Sequence, residues 1–265
     1  MPEVQVDGAR LHYQDSGGDG PAIVFAHGLL WSNAMWRFQV AAFRHRFRCI
    51  AFDFRGQGKS EVTASGYDME TLTQDAAQLI EKLVSGPVHY AGLSMGGFVG
   101  MRLAARRPEL VKTLALLDTA ADPEPLLNLP KYTLMGLLSR LVGTAPFAGQ
   151  VMKLMFGGPF LRDPARSELR EQMRQELIGN GLTGSLRATA GVLHRKAVEA
   201  SELARIRCPT LVISGAEDAA IVPARTRRLA EQIPGARFVS IPRAGHTATI
   251  DEPEAVNAAL RELWG

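Results

Sequence analysis

Three residue types at suitable places in a chain are enough for acyl transfer: a presented hydroxyl, a base and a carboxylate to orient it. Ser94 stands in Gly92-Leu93-Ser94-Met95-Gly96. This is the G-x-S-x-G spacing in which a sharp strand-to-helix turn holds a serine hydroxyl clear of a sheet. Glycines on either side let neighbouring backbone approach without a Cβ clash, and Gly97 extends the run. The letters alone are cheap in a glycine-rich chain, where a softened junction with a capping serine would read the same. The context is what gives them weight. Apolar Val88 to Leu93 reads as a strand, and Met95 onward reads as a helix.

The base is sought among six histidines. His12 and His89 fall in expected strands, His45 beside an arginine cluster, and His194 in a helical stretch. His246 differs: it sits in Arg243-Ala244-Gly245-His246-Thr247, a loop past the last expected strand. A loop there can reach a serine at the C-terminal edge of a sheet. The orienting carboxylate is expected at Asp218, at the end of Ser214-Gly215-Ala216-Glu217-Asp218. That choice gives the chain order serine, aspartate, histidine. Asp118, in Leu116-Leu117-Asp118-Thr119, is the rival, and Glu217 is a third possibility. Charge developing on a carbonyl oxygen needs fixed N–H donors. The N–H of Met95 is one candidate, helped by the helix dipole, and the N–H of Leu29 in His27-Gly28-Leu29-Leu30 is the other. His27 itself is read as a structural ring bonded to backbone.

These groups converge only if particular elements carry them. Eight strand-like segments are legible. Glu3 to Val6 and Ala9 to Asp15 are split by an Asp7-Gly8 turn. They are followed by Ala22 to Ala26, Arg48 to Asp53, Val88 to Leu93, Thr113 to Leu117, Thr210 to Ser214 and Arg237 to Ile241. Helical patterns lie between most of them, around Met35 to Phe43, Met69 to Leu83, Met95 to Arg106, Ala224 to Gln232 and from Pro253 onward. Such alternation predicts an α/β fold with a mostly parallel sheet covered on both faces. From Asp122 to Glu202 the alternation stops. Proline-broken helical pieces appear around Tyr132 to Leu141, Phe147 to Phe156, Ser167 to Ile178 and Leu186 to Lys196. The expected organisation is a core of residues 1–121 and 203–265 with a helical cap of residues 122–202 over the sheet edge. A separately folded helical domain is the alternative, which short broken helices argue against.

Composition is ordinary for a soluble globular protein. The 265 residues are 46% hydrophobic and 22% charged, enough apolar mass for a sizeable core, with a formal net charge of +3. No Lys/Arg run marks a nucleic-acid surface. No apolar run approaches the ~18 residues that span a bilayer. No charged-then-apolar leader is legible, so a cytoplasmic location is expected, with neither nucleic acid nor membrane as partner. Cys49 and Cys208 are expected to be buried free thiols rather than a disulfide.

Taken in order, His27-Gly28, the block from Asp53 to Ser60, Gly92 to Gly97, Gly215 to Asp218 and Gly245-His246 resemble the α/β-hydrolase superfamily. The resemblance covers essentially the whole chain. It implies an eight-stranded sheet with a helical cap, a Ser94–His246–Asp218 triad, and no metal or organic cofactor. In Asp53-Phe54-Arg55-Gly56-Gln57-Gly58-Lys59-Ser60, it implies that Asp53 and Arg55 brace a loop. Within the superfamily, Gly92 to Gly97, Leu117-Asp118-Thr119-Ala120 and Gly245-His246-Thr247 most resemble 3-oxoadipate enol-lactonases and related carboxylesterases. Branches with Asp at the elbow fit less well, as do haloperoxidase relatives with Trp directly after His-Gly, C–C hydrolases with Trp after the histidine, and prolyl aminopeptidases with a longer glycine run. The expected function is hydrolysis of a small-molecule ester or lactone through an acyl-enzyme. A C–C hydrolase using the same residues and a non-catalytic ligand-binding member of the fold are the alternatives. Trp31, Met152, Met155, Phe156 and Val222 are the candidate pocket walls.

Overall fold

The computed structural model describes residues 2–265. Eight strands form one sheet: β1 (Glu3–Val6), β2 (Ala9–Asp15), β3 (Ala22–Ala26), β4 (Arg48–Phe52), β5 (Val88–Leu93), β6 (Val111–Leu117), β7 (Thr210–Gly215) and β8 (Arg237–Ile241). Their lateral order is β1-β2-β4-β3-β5-β6-β7-β8. β1 and β2 pair antiparallel, as do β2 and β4, while every later pairing is parallel. Gly8, at φ +70°, turns the opening hairpin. β6 begins at Val111, two residues earlier than the apolar run from Thr113 suggests. Val111 pairs with Val88 across a register shift, which extends the ladder past exposed Lys112.

The helices are α1 (Arg37–Phe43), α2 (Met69–Leu83), α3 (Met95–Arg106), α4 (Leu129–Val142), α5 (Ala148–Met155), α6 (Gly158–Arg162), α7 (Ser167–Gly179), α8 (Leu182–Leu193), α9 (Ala200–Leu203), α10 (Pro223–Gln232), α11 (Ala248–Asp251) and α12 (Pro253–Trp264). The sheet feeds two cores because successive strand residues point to opposite faces. Val24, Ala26, Ile50, Phe52, Tyr90, Leu114 and Leu116 pack with α2, α3 and α10. Their neighbours Ile23, Phe25, Cys49, Ala51, Ala91, Ala115 and Leu117 pack on the other face with α1 and α12. Strands β3 and β5 are buried at every residue, as strands covered on both faces must be.

No strand interrupts the chain between Leu117 and Thr210. Pro130, Pro146, Pro159 and Pro164 start helical segments rather than break them. Pro130 and Pro159 occupy the first turns of α4 and α6, where a missing N–H costs nothing. α8 covers Leu182–Leu193, displaced toward the N-terminus from the expected Leu186 to Lys196. Gly184 weakens the local helix pattern, yet its closeness to the β4 loop requires glycine: a Cβ there would lie 1.7 Å from the Gly56 carbonyl oxygen. Among the described residues no helix is long and apolar enough to cross a membrane. Cys49 and Cys208 are both free thiols; Cys49 is buried, whereas Cys208 is half-exposed at the strand edge. Burial pushes the Cys49 thiol up to about 12.

Candidate active site

The parallel register sets the site. Ala26 pairs with Gly92 and Leu93 with Leu117, so the loops after β3, β5 and β6 leave the sheet together. Ser94 follows β5 at φ +52°, ψ −110°. That conformation costs a non-glycine residue on the order of 1–3 kcal/mol, so its surroundings must enforce it. Ser94 N–H donates to Leu117 O at 2.8 Å, and Thr119 Oγ1 donates to Ser94 O at 2.9 Å. Gly96 N–H donates to His27 O at 3.1 Å. A Cβ on Gly96 would sit 2.2 Å from Ala26 O, so only glycine lets the elbow close against β3.

The loop after β3 is braced on both sides. His27 Nδ1 lies 2.7 Å from Gly28 O, and Nε2 accepts from Phe54 N–H at 3.0 Å. With both ring nitrogens on backbone, His27 is a fixed neutral ring. Burial holds its pKa below the usual histidine value. Gln57 Oε1 accepts from the N–H of Leu30, which sits at φ +68°. Gln57 Nε2 lies 3.8 Å from the Met95 sulfur, so one side chain ties the β3 loop to the residue after Ser94. Among the described residues, the N–H groups of Leu29 and Met95 donate to no loop or turn carbonyl. Asp53 accepts from Asn33 N–H at 2.6 Å and Lys59 N–H at 2.9 Å. Arg55 forms a two-pronged pair with Asp75 at 2.7 and 2.6 Å. Both brace the loop, as their block in the sequence implies.

His246 Nδ1 lies 2.8 Å from Asp218 Oδ2. The second oxygen of Asp218 accepts N–H groups of Ala220 and Ile221 at 2.8 and 2.9 Å, which fixes the carboxylate plane. Neither alternative carboxylate meets the ring. Asp118 is fully buried at φ +49° and accepts Gly215 N–H at 2.6 Å. Burial, with the Asp218 charge beside it, pushes its carboxyl well above the usual range. Glu217 turns outward to accept the N–H of Gly158 at 2.7 Å.

Ser94, His246 and Leu29 line one cavity, closed from above by residues of α4, α5 and α8. Of the five expected wall residues, Met155 lines it. Trp31 and Phe156 pack edge-to-face behind it, with ring centroids 5.8 Å apart, and Phe156 stacks on Phe160. Met152 joins the same buried cluster on the other side of α5. Val222 is 50% exposed at the start of α10. The walls come instead from Met135, Val151, Leu154, Val192 and Ile221. A dense apolar stretch such as 147–156 supplies both a cavity face and a core face one helical step apart.

Residues 21–253 match the alpha/beta hydrolase fold family. The chain belongs to that family. An α/β-hydrolase of similar structure is the enol-lactonase from Burkholderia xenovorans LB400, at a TM-score of 0.90 and 31% identity over 99% of both chains. A protein of Caulobacter sp. (strain K31), provisionally named carbamate hydrolase RutD, is 29% identical over 98% of this chain and 97% of its own. A Mycobacterium tuberculosis protein provisionally named non-heme bromoperoxidase BpoC is also 29% identical, over 96% and 97%. Three reactions among relatives so similar mean that membership establishes the hydrolase scaffold, not the substrate.

Sequence reasoning missed two parts of this α/β-hydrolase site. Asp251 Oδ2 accepts N–H groups of Gly245, at 2.5 Å, and Gly157, at 3.0 Å, tying the His246 loop to the start of α6. Burial pushes its carboxyl up to about 7. Glu124 and Arg195 also line the cavity. Neither pair carries a motif or a periodicity that would have announced it.

Proposed function

We propose that this α/β-hydrolase cleaves a carboxylic ester or lactone through an acyl-enzyme on Ser94. The observation that carries the reading is the His246–Asp218 bond of 2.8 Å on the wall of the cavity that Ser94 enters. A carboxylate only accepts, so in this reading the ring proton sits on Nδ1 and the lone pair on Nε2. Ser94 Oγ then attacks the acyl carbon as its proton passes to Nε2. The former carbonyl oxygen takes the negative charge and meets the N–H groups of Leu29 and Met95. Nε2 returns the proton to the leaving alkoxide. Water repeats the sequence on the acyl-enzyme, releasing the acid and free Ser94. Residues 122–202 act as a cap that excludes bulk water and shapes the acyl site. The likeness to an enol-lactonase supports ester or lactone cleavage.

The test joins labelling to turnover. A fluorophosphonate should modify wild-type protein at Ser94, and Ser94→Ala should lose both labelling and aryl-ester turnover, the latter by about 10³-fold or more. Its melting temperature should stay near that of wild type. Wild-type turnover in the variant, or cleavage of a vinylogous diketone but of no ester, would overturn the assignment.

A further inference from the structure

The cavity is mostly apolar, and one feature of its wall is out of keeping with that. Arg195 and Glu124 both line it, with side chains only 2% and 9% exposed. Arg195 Nη1 spends its donors inside the protein, on Glu124 Oε2 at 3.1 Å and Val192 O at 2.9 Å. The other Glu124 oxygen accepts from Asn128 Nδ2 at 2.7 Å. The guanidinium lies over the Phe98 ring, 4.2 Å from its centroid, and Phe98 also lines the cavity. Among the described residues, Arg195 Nε and Nη2 have no acceptor although both are buried.

We propose that Arg195, held by Glu124, is a substrate-binding residue that receives a second, neutral oxygen of the substrate, such as a ketone or ester carbonyl, in addition to the one attacked by Ser94. This inference rests on the ester or lactone reading and names a substrate class within it. Both donors are closed off from water-sized molecules, so the guanidinium must turn toward the substrate for an acceptor oxygen to satisfy them, whereas an apolar ligand leaves them unpaired. Neutrality follows from the charges around the site. Glu124 balances Arg195, and the adjacent Arg102 and Arg225 pair with Glu70 and Asp122, which they share with the more exposed Arg106 and Arg228. A substrate carboxylate would bring an uncompensated charge into a buried site. Burial lowers Arg195 to about 10, which keeps it charged at neutral pH.

The experiment compares pairs of substrates, so that any general loss cancels. Methyl hexanoate is measured against methyl hexanoates carrying a ketone at carbon 3, 4 or 5, and against hexanoate esters of hydroxyketones. Monomethyl glutarate supplies the carboxylate. Wild type should favour at least one oxo-ester by roughly ten- to a hundredfold in kcat/KM over the plain ester. Arg195→Met keeps the stem over Phe98 but removes the donors, and should collapse that ratio toward one. Arg195→Lys keeps the charge on Glu124 without Nε or Nη2 and should do the same. Glu124→Gln should raise the relative rate for monomethyl glutarate. A ratio unchanged in both Arg195 variants, or a wild-type preference for the carboxylate, would overturn the inference. Calorimetric titration of the same pairs into Ser94→Ala, with and without Arg195→Met, reads the preference without turnover. If oxo-ester binding there depends on Arg195 while no ester is cleaved by wild type, the subsite stands and the proposed reaction fails.

Discussion

The sheet core and the helical stretch of residues 122–202 are built to different standards. In β3 and β5 every residue is buried, and backbone bonds such as Ser94 N–H to Leu117 O join each loop to its neighbour. In α4, by contrast, Leu134, Leu137, Leu138, Leu141 and Val142 face solvent, at a spacing that puts them on one helical stripe. The stretch is fastened to the core at separate points: Gly184 on Gly56, Thr247 N–H on Met155 O, and Asp251 on the Gly157 N–H. Reaction groups need positions held to fractions of an ångström, and the ladder provides them. Walls that choose a substrate tolerate a looser mount. Under the proposed function, the reaction falls to the first region and substrate selection to the second.

The most severe way to break that division is at the carboxylate. Asp218→Asn should keep the fold, since an amide oxygen can still accept from Ala220 and Ile221, but should cut kcat by about 10³–10⁴-fold through loss of the ring orientation. Asp118→Asn should cost far less, because its side chain meets Gly215 and not His246. Steady-state kinetics on both variants decides it, and a reversed order would move the acid to β6.

Stability should divide the same way. Leu116→Ala removes a fully buried side chain and should cost about 2–5 kcal/mol by urea unfolding. Leu137→Ala, at 54% exposure, should change stability by no more than about 0.5 kcal/mol. Equal losses would mean that the two regions are not built differently after all.

The seam between the regions carries a pH signature. The folded Asp251 carboxyl titrates at about 7, above its ordinary 3.8. The folded state therefore holds a proton that the unfolded chain has already released. Its contribution is fully present below about pH 4 and is lost as pH rises through about 7. Asp251→Asn should flatten that decline in melting temperature between pH 5 and 8. A slope identical to wild type would remove Asp251 from the seam's electrostatics. The smallest expected difference is dynamic: amide exchange should be faster in α4 than in β5 and β6, where opening approaches global unfolding.

Much of the candidate site is legible in the chain because its signals are local. The G-x-S-x-G letters require an elbow, and the Gly96 contact with Ala26 O gives the reason. Asp218 is expected from its place at a strand end and from the chain order Ser94, Asp218, His246, and the structure joins it to His246 directly. His27 reads as structural from its place beside Gly28, and both its nitrogens meet backbone. The expected wall residues fared differently. Methionine and phenylalanine at helical spacing say that a face is apolar, but not which neighbour it meets. Met155 reaches the cavity, whereas Met152 and Phe156, three positions before it and one after, pack into the core.

The sequence by itself determined the order of strands and helices, to within a residue or two at strand ends such as the start of β6, because apolar runs and glycine placement are properties of a few consecutive residues. It also determined the two-faced sheet, through alternating side chains that have only one way to bury both sets. Tertiary structure alone decided the cavity. Glu124 and Arg195, 71 positions apart, meet there because helices of the 122–202 stretch dock at angles set by distant contacts such as Gly184 on Gly56. Side-chain periodicity contains no term for those angles, so the walls of the site become readable only once the helices are seated.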